Sequence, residues 1–345
     1  MIEPEMRKLN PKIVLFSLLL LLSLTIAGWQ IITRQYLPVN PNDKTIIEVR
    51  VPENSLAREV AALLKQNGLI RNEKVFLSYC RQKGLDKQLK AGLYAFSKSQ
   101  SLQELALQIS QGKVKSSSFT IPEGYTVRQI GELLINKRIC TQEQWSEALQ
   151  ANYNYDFITP IKPGQTADEK RLEGFLFPDT YTIDEKTSAK DIINIMLESF
   201  SAIWNKEYAG QAGEKKLNLR RTIIIASLIE REARVSEERK RISGVIYNRL
   251  QKGMPLQIDA TVLYSLGEHR ETVTYKDLEN NSPYNTYKNT GLPPGPIASP
   301  GRASIDAAIN PEQNSYYYYV AKGDNSHYFS STYTEHLAAK KKYGL

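Results

Sequence analysis

The chain has 345 residues, 41% of them hydrophobic and 24% charged, an ordinary globular composition with enough apolar material for two modest cores. Its formal charge of +8 favours anionic partners, but it has no long block of like charges and no base-stacking motif, so nucleic acid is not expected. Three histidines, His269, His327 and His336, lack ligand-like spacing, so neither a metal nor another cofactor is expected. Cys80 and Cys140 read as separate buried thiols, since one possible pair is not a disulfide framework.

In chain order, residues 1–12 carry Arg7, Lys8 and Lys12 ahead of a run without charge from Ile13 to Ile32. A helix over that run is long enough to cross a bilayer core of about 30 Å. Positive charge before the span predicts a cytoplasmic N-terminus and an extracytoplasmic remainder, at the inner or plasma membrane. A cleaved signal peptide would have a shorter apolar core and small residues at its cut. The finish at Gly28, Trp29 and Gln30 fits an interfacial anchor better. Residues 33–44, with Pro38 and Pro41, read as a linker.

Residues 45–117 form a first strand-and-helix subdomain and residues 118–345 a larger domain, so the fold class expected is mixed α+β. Thr45 to Val51 alternates as a strand, Pro52 and Glu53 turn the chain, and Leu56, Val60, Leu63 and Leu64 mark an amphipathic helix. Asn72 opens a second helix. The pattern recurs weakly 70 residues later: VPENSLAREVAALL at Val51 resembles IPEGYTVRQIGELL at Ile121. Ser101 with Glu104, and Thr126 with Gln129, are capping-box pairs. Such units suit glycan binding, and plain helix-strand packing would give the same pattern.

Further on, helices are predicted over Ala189 to Trp204, Arg221 to Ala233, Glu237 to Leu250 and Ser304 to Ile309. Tyr316 to Ala321 is predicted as a strand, paired with His327 to Ser330. The run TIIIASLIEREA carries Glu230 at the end of a strongly apolar helix, where a carboxylate is costly to ionise, a property that suits a general acid. Pairing with Arg234 at i+4 is the structural alternative. Glu232 points elsewhere and is expected to pair with Arg231, Arg234 or Arg239. Gln257, Asp259 and Thr261 alternate, so on an extended strand they would share a polar face suited to sugar hydroxyl and acetamido groups. Tyr284, Asn285, Thr286 and Tyr287 place two aromatic rings around an amide and a hydroxyl, a common way to hold sugars. Gly291 to Gly301 is a stiff Pro- and Gly-rich loop, a suitable cleft wall without phosphate-cradle spacing.

Several of these segments, in one order, resemble the YceG-like family of endolytic murein transglycosylases. They are EGFLFPDTY, ASLIEREA, YNRLQKGMPLQIDATVLY, SPYNTY, GLPPGPIASPG and YYYYVAKGDNSHYF. Arg231, Ala233 and Ala260 stand where the family often has Lys, Thr and Pro. The resemblance implies a LysM-like subdomain followed by an α+β catalytic domain. It also implies cleavage of the β-1,4 bond between N-acetylmuramic acid and N-acetylglucosamine within peptidoglycan strands. The products carry 1,6-anhydro-muramyl ends, and the cleavage terminates nascent strands near cell-wall synthases. It places the catalytic glutamate at Glu230, with Gln257, Asp259, Thr261, Tyr284, Asn285, Thr286 and Tyr287 as substrate-binding candidates. A muramidase using Glu230 and Asp259, and a wall-binding scaffold without catalysis, are the competing readings.

Overall fold

The computed structural model describes residues 11–159, 169–267 and 272–344. Chain contacts divide it into two units, residues 1–117 and 118–345. In the first, helix α1 runs from Pro11 to Tyr36. Strand β1 (Ile47–Val51) leads into helices α2 (Ala57–Gln66) and α3 (Glu73–Gln82), then strand β2 (Gly92–Phe96) and helix α4 (Leu102–Gln111). β1 and β2 pair antiparallel, Ile47 opposite Phe96 and Val51 opposite Gly92. The alternation along β1 turns Val49 and Val51 into a core with Val60, Leu64, Phe76, Tyr94, Phe96 and Ile109.

The capping chemistry falls where the sequence puts it. Asn72 Oδ1 accepts from Lys74 N–H at 2.9 Å, and Ser101 and Glu104 form a reciprocal box at the head of α4. Cys80 is buried and unpaired, and burial pushes its thiol up to about 11. Along α1, Leu19, Leu20, Leu21, Leu22, Leu24, Ile26, Trp29, Ile31 and Ile32 are exposed. Among the described residues no helix is long and apolar enough to cross a membrane. The side chains of residues 11–14, 16–18 and 27, which fall in the span expected from the sequence, lie outside that set.

The second unit opens on a repetition. Strand β3 (Ser116–Thr120), helices α5 (Val127–Asn136) and α6 (Gln142–Leu149) and strand β4 (Thr180–Asp184) follow the order of β1, α2, α3 and β2, and β3 pairs with β4. The two Pro-Glu turns match as well: Asn54 and Gly124, the residues after Glu53 and Glu123, both take a left-handed backbone, at φ 59° and 77°. Thr126 and Gln129 cap α5 reciprocally. The weak sequence repeat is therefore a structural one.

Beyond it lie α7 (Ala189–Ile203), a π turn at Trp204–Tyr208, α8 (Ala209–Glu214), α9 (Leu219–Glu232) and α10 (Arg239–Lys252). Then come α11 (Asp259–Leu266), α12 (Tyr275–Leu278), α13 (Arg302–Ile309), the hairpin of β5 (Tyr318–Ala321) and β6 (His327–Ser330), and α14 (Tyr333–Tyr343). The hairpin pairs as expected, Tyr318 opposite Ser330. The tyrosine run does not alternate between buried and exposed: Tyr316 to Tyr319 are all half-buried, each ring finding an aromatic or cationic neighbour. The core is built around α9, whose residues from Thr222 to Ile229 are all buried, packed with Met196 and Phe200 of α7 and Ile305 and Ala308 of α13.

Close packing of α5 on α6 depends on Gly131, where an added Cβ would lie 2.3 Å from Trp145 Nε1. Gly131→Val should lower stability by about 1–3 kcal/mol through overpacking against this buried indole. A urea denaturation midpoint equal to that of wild type would show that the helix pair has slack there.

Candidate active site

Glu230 sits in the last turn of α9, where the helix leaves the apolar core. Its side chain is 8% exposed. The carboxyl is not sealed among aliphatic groups, as its sequence neighbours suggest. Oε2 accepts the Gly301 N–H at 3.0 Å, and Oε1 lies 4.0 Å from Nη2 of Arg239, the first residue of α10. The cation beside it is thus Arg239, not Arg234. Arg239 is itself held by Ser304 Oγ at 3.2 Å and Ser236 Oγ at 2.9 Å.

A second carboxylate shares the site. A Cβ on Gly301 would fall 1.8 Å from Glu123 Oε1, so a larger residue there would push the end of this side chain aside. Both acids lie against one residue, which puts their nearest oxygens within about 7 Å of each other by standard backbone dimensions. Desolvation and the neighbouring Glu230 push the Glu123 carboxyl above its usual range, while Arg239 and Arg302 oppose the shift. The turn carrying Glu123 is fixed by backbone pairing with the Gly- and Pro-rich loop. Gly124 N–H donates to Ser299 O and Ser299 N–H to Tyr125 O, both at 2.8 Å. The same loop is tied to α9 through Ile297 N–H to Ser227 Oγ at 3.1 Å. It is buried from Gly295 to Gly301, so it is a brace between the two acids more than an open wall.

The other candidates divide. Gln257, Asp259 and Thr261 do not share a strand face, because Asp259 begins helix α11 and Gln257 takes a left-handed backbone at φ 53°. Gln257 and Asp259 are exposed, and Asp259 Oδ1 accepts from the half-buried Tyr287 hydroxyl. Thr261 and Thr286 are buried and bond to each other, with Thr286 Oγ1 also accepting Ile258 N–H. Asn285 is buried and donates to Leu278 O and Asn280 O, and Tyr284 packs against Tyr264. These four are used in internal packing and hydrogen bonds; Gln257, Asp259 and Tyr287 are the members of the set that reach solvent. Glu232 does not take up a neighbouring arginine: it accepts from Tyr319 OH at 2.7 Å, and burial followed by the nearby Asp259 charge outweighs that bond and pushes its carboxyl up.

The sequence from residue 49 to 342 matches the model of the YceG-like family. The chain belongs to the YceG-like family. Endolytic murein transglycosylase of Bacillus subtilis strain 168 is 36% identical over 318 residues, covering 89% of this chain and 87% of that protein. Its namesake in Streptococcus pneumoniae D39 is 33% identical over 338 residues, covering 90% of this chain and 61% of its own greater length. A crystal structure of a YceG-like protein from Listeria monocytogenes superposes with a TM-score of 0.59 at 34% identity, covering 86% of this chain and 99% of the other. The mixed α+β architecture is thus that of a YceG-like protein.

Glu123 and Arg302 were not singled out from the sequence, Arg239 was expected beside Glu232, and Gly301 stood only as the end of the stiff loop. Glu123 had a signal, the Pro-Glu turn of the internal repeat, but nothing local distinguished it from Glu53. Because its folded-state pKa lies above the unfolded value, Glu123 opposes folding once the pH exceeds the ordinary carboxylate range, and not below it. The stability of Glu123→Gln relative to wild type should therefore rise with pH across that range, with the two proteins converging in acid. Thermal melts from about pH 3 to about pH 8 would test this; a gap that widened toward acid would contradict the assigned shift.

Proposed function

We propose that this YceG-like protein is an endolytic murein transglycosylase, cleaving the bond between N-acetylmuramic acid and N-acetylglucosamine within peptidoglycan strands and ending nascent strands. The observation that carries the reading is a carboxyl group at the end of a buried helix, bonded to the Gly301 N–H and beside the Arg239 guanidinium, within the family-matching residues 49–342. Glu230 donates its proton to the leaving glycosidic oxygen as the C1–O bond breaks. The muramyl C6 hydroxyl then bonds to C1 and returns its proton to the Glu230 carboxylate. No water is consumed, the product is a 1,6-anhydro end, and the acid is restored. Gln257, Asp259 and Tyr287 are read as sugar contacts.

Two further parts of the reading concern location. The charge-free run Ile13 to Ile32, the basic residues before it and the exposed apolar side chains along α1 support a single-pass tether at the inner or plasma membrane, with the catalytic unit outside. The strand, two helices and antiparallel strand of the first unit support a LysM-like glycan-binding module.

A hydrolytic muramidase is the second reading, and Glu123 favours it, since hydrolases work with two carboxylates at separations of about 5–9.5 Å. Purified glycan strands digested by wild type should yield anhydro ends by mass spectrometry; reducing ends in their place would support hydrolysis. Glu230→Gln should lower the initial rate by roughly 10²–10⁴-fold, the size of a general-acid contribution. Full activity in that variant would remove Glu230 from the mechanism.

A further inference from the structure

Residues 233–238 join the end of α9 to the head of α10, and so carry the chain from Glu230 to the cation beside it, Arg239. One face of the β5–β6 hairpin meets both sides of that join. Tyr319 stands opposite Phe329 in the ladder and His327 is two residues from Phe329, so the three rings share a face, with centroids 5.3–6.2 Å apart. Tyr319 reaches α9, where its hydroxyl donates to Glu232 at 2.7 Å. Phe329 meets α10, where the Arg241 guanidinium lies 5.3 Å from its ring centre. His327 takes Glu238, the residue just before Arg239. Its backbone N–H donates to Glu238 Oε1 at 2.9 Å, and its ring Nδ1 lies 2.7 Å from Oε2. Both side chains are nearly enclosed, at 9% exposure for Glu238 and 12% for His327. A carboxylate so enclosed has little water to replace a lost partner, so the bond fixes its position.

Building on the reading that Glu230 gives the proton in murein cleavage, we propose that His327 and Glu238 are positioning residues. Their bond anchors the head of α10 and thereby holds the Arg239 guanidinium at the Glu230 carboxyl. Glu238 acts through its chain neighbour, and Ser236, which accepts from Arg239 Nη1 at 2.9 Å, belongs to the same single turn. The bond matters to the chemistry because a cation 4.0 Å from a carboxyl favours its ionised form, the form Glu230 takes once its proton has left. If the turn drifted, the acid would keep the neighbouring Glu123 charge with less to offset it. The ionisable groups around His327 are Glu238 from the turn, Glu232 from α9 and Tyr319 from β5, with Arg241 of α10 acting on Glu238.

The test measures initial rates of anhydro-end formation by the full-length protein on purified glycan strands from about pH 4 to about pH 9, with a urea midpoint for each variant. The rate falls on the alkaline side as the acid ionises. In Arg239→Gln, loss of the cation should move that alkaline limb up by about one pH unit. The plateau should drop roughly three- to tenfold, because a weaker acid gives up its proton more slowly. His327→Phe keeps the ring packing and loses the Nδ1 bond; Glu238→Asp keeps the charge and withdraws it by one methylene. Both should move the limb in the same direction as Arg239→Gln, and adding either to Arg239→Gln should move it no further. His327→Asn, whose amide nitrogen falls near the place of Nδ1, should recover most of the wild-type profile. A merely structural role would lower the urea midpoint and the plateau without moving the limb. That result, unchanged profiles in both His327→Phe and Glu238→Asp, or shifts that add in the double variants would overturn the assignment while leaving the transglycosylase reading intact. Wild type that forms no anhydro ends, or Glu230→Gln at full rate, would instead defeat that reading, and this inference with it.

Discussion

The site depends on a helix whose middle, from Thr222 to Ile229, is buried on every side. From Thr222 to Ile229 no residue of α9 reaches solvent, so the helix cannot rotate or slide without exposing aliphatic surface. Past that stretch the last turn carries Glu230, Arg231 and Glu232, which leave the axis about 100° apart. Each meets a different environment as a result. Glu230 reaches the Gly301 N–H and Arg239, Arg231 turns to Gly124 O, and Glu232 goes to the Tyr319 hydroxyl. Three consecutive residues thus do three jobs because the core fixes one rotation of the helix.

That placement is shared with the Gly- and Pro-rich loop. A buried loop must satisfy its own backbone, and this one does so with groups that matter to the site. Ser299 exchanges bonds with the Gly124–Tyr125 turn, Ile297 bonds to Ser227 on α9, and Gly301 bonds to Glu230. The missing Cβ at Gly301 is equally specific, since it leaves room for the Glu123 carboxyl. The loop is the common reference against which both acids are positioned.

Local chemistry was legible in the sequence, and long-range assembly was not. The capping boxes of α4 and α5, the hairpin of β5 and β6 and the apolar run of α9 all rest on neighbours within a few residues. The stretch from Leu256 to Thr261 failed because its apolar and polar residues do alternate, but the chain changes from extended to helical at Asp259 after only a short extended piece. Asn285 and Thr286 look like ligand contacts in composition, yet their hydrogen bonds are used within the loop they stabilise. Glu123 could be recognised only once the fold brought its turn to Gly301, because the turn recurs at Glu53 with the same local grammar.

The second acid bears on how the bond is broken. A hydrolase needs its two carboxylates on opposite faces of the sugar, or one beneath the anomeric carbon, with substrate or water between them. Here Gly301 meets both groups: its N–H is bonded to Glu230, and a Cβ added to it would fall against Glu123 Oε1. The two acids, from α9 and from the turn before α5, therefore converge on one residue of the buried loop. Glu230, with its side chain 8% exposed, is enclosed, whereas Glu123 is an exposed residue. In the proposed mechanism an enclosed acid that both gives and retrieves the proton requires only the muramyl C6 hydroxyl as nucleophile. Glu123, coupled to it through a shared glycine, can influence charge at the site without serving as a base on the far face. On the proposed reading Glu230 is the one working acid and Glu123 its electrostatic neighbour, whereas a hydrolase would need Glu123 as its second carboxylate.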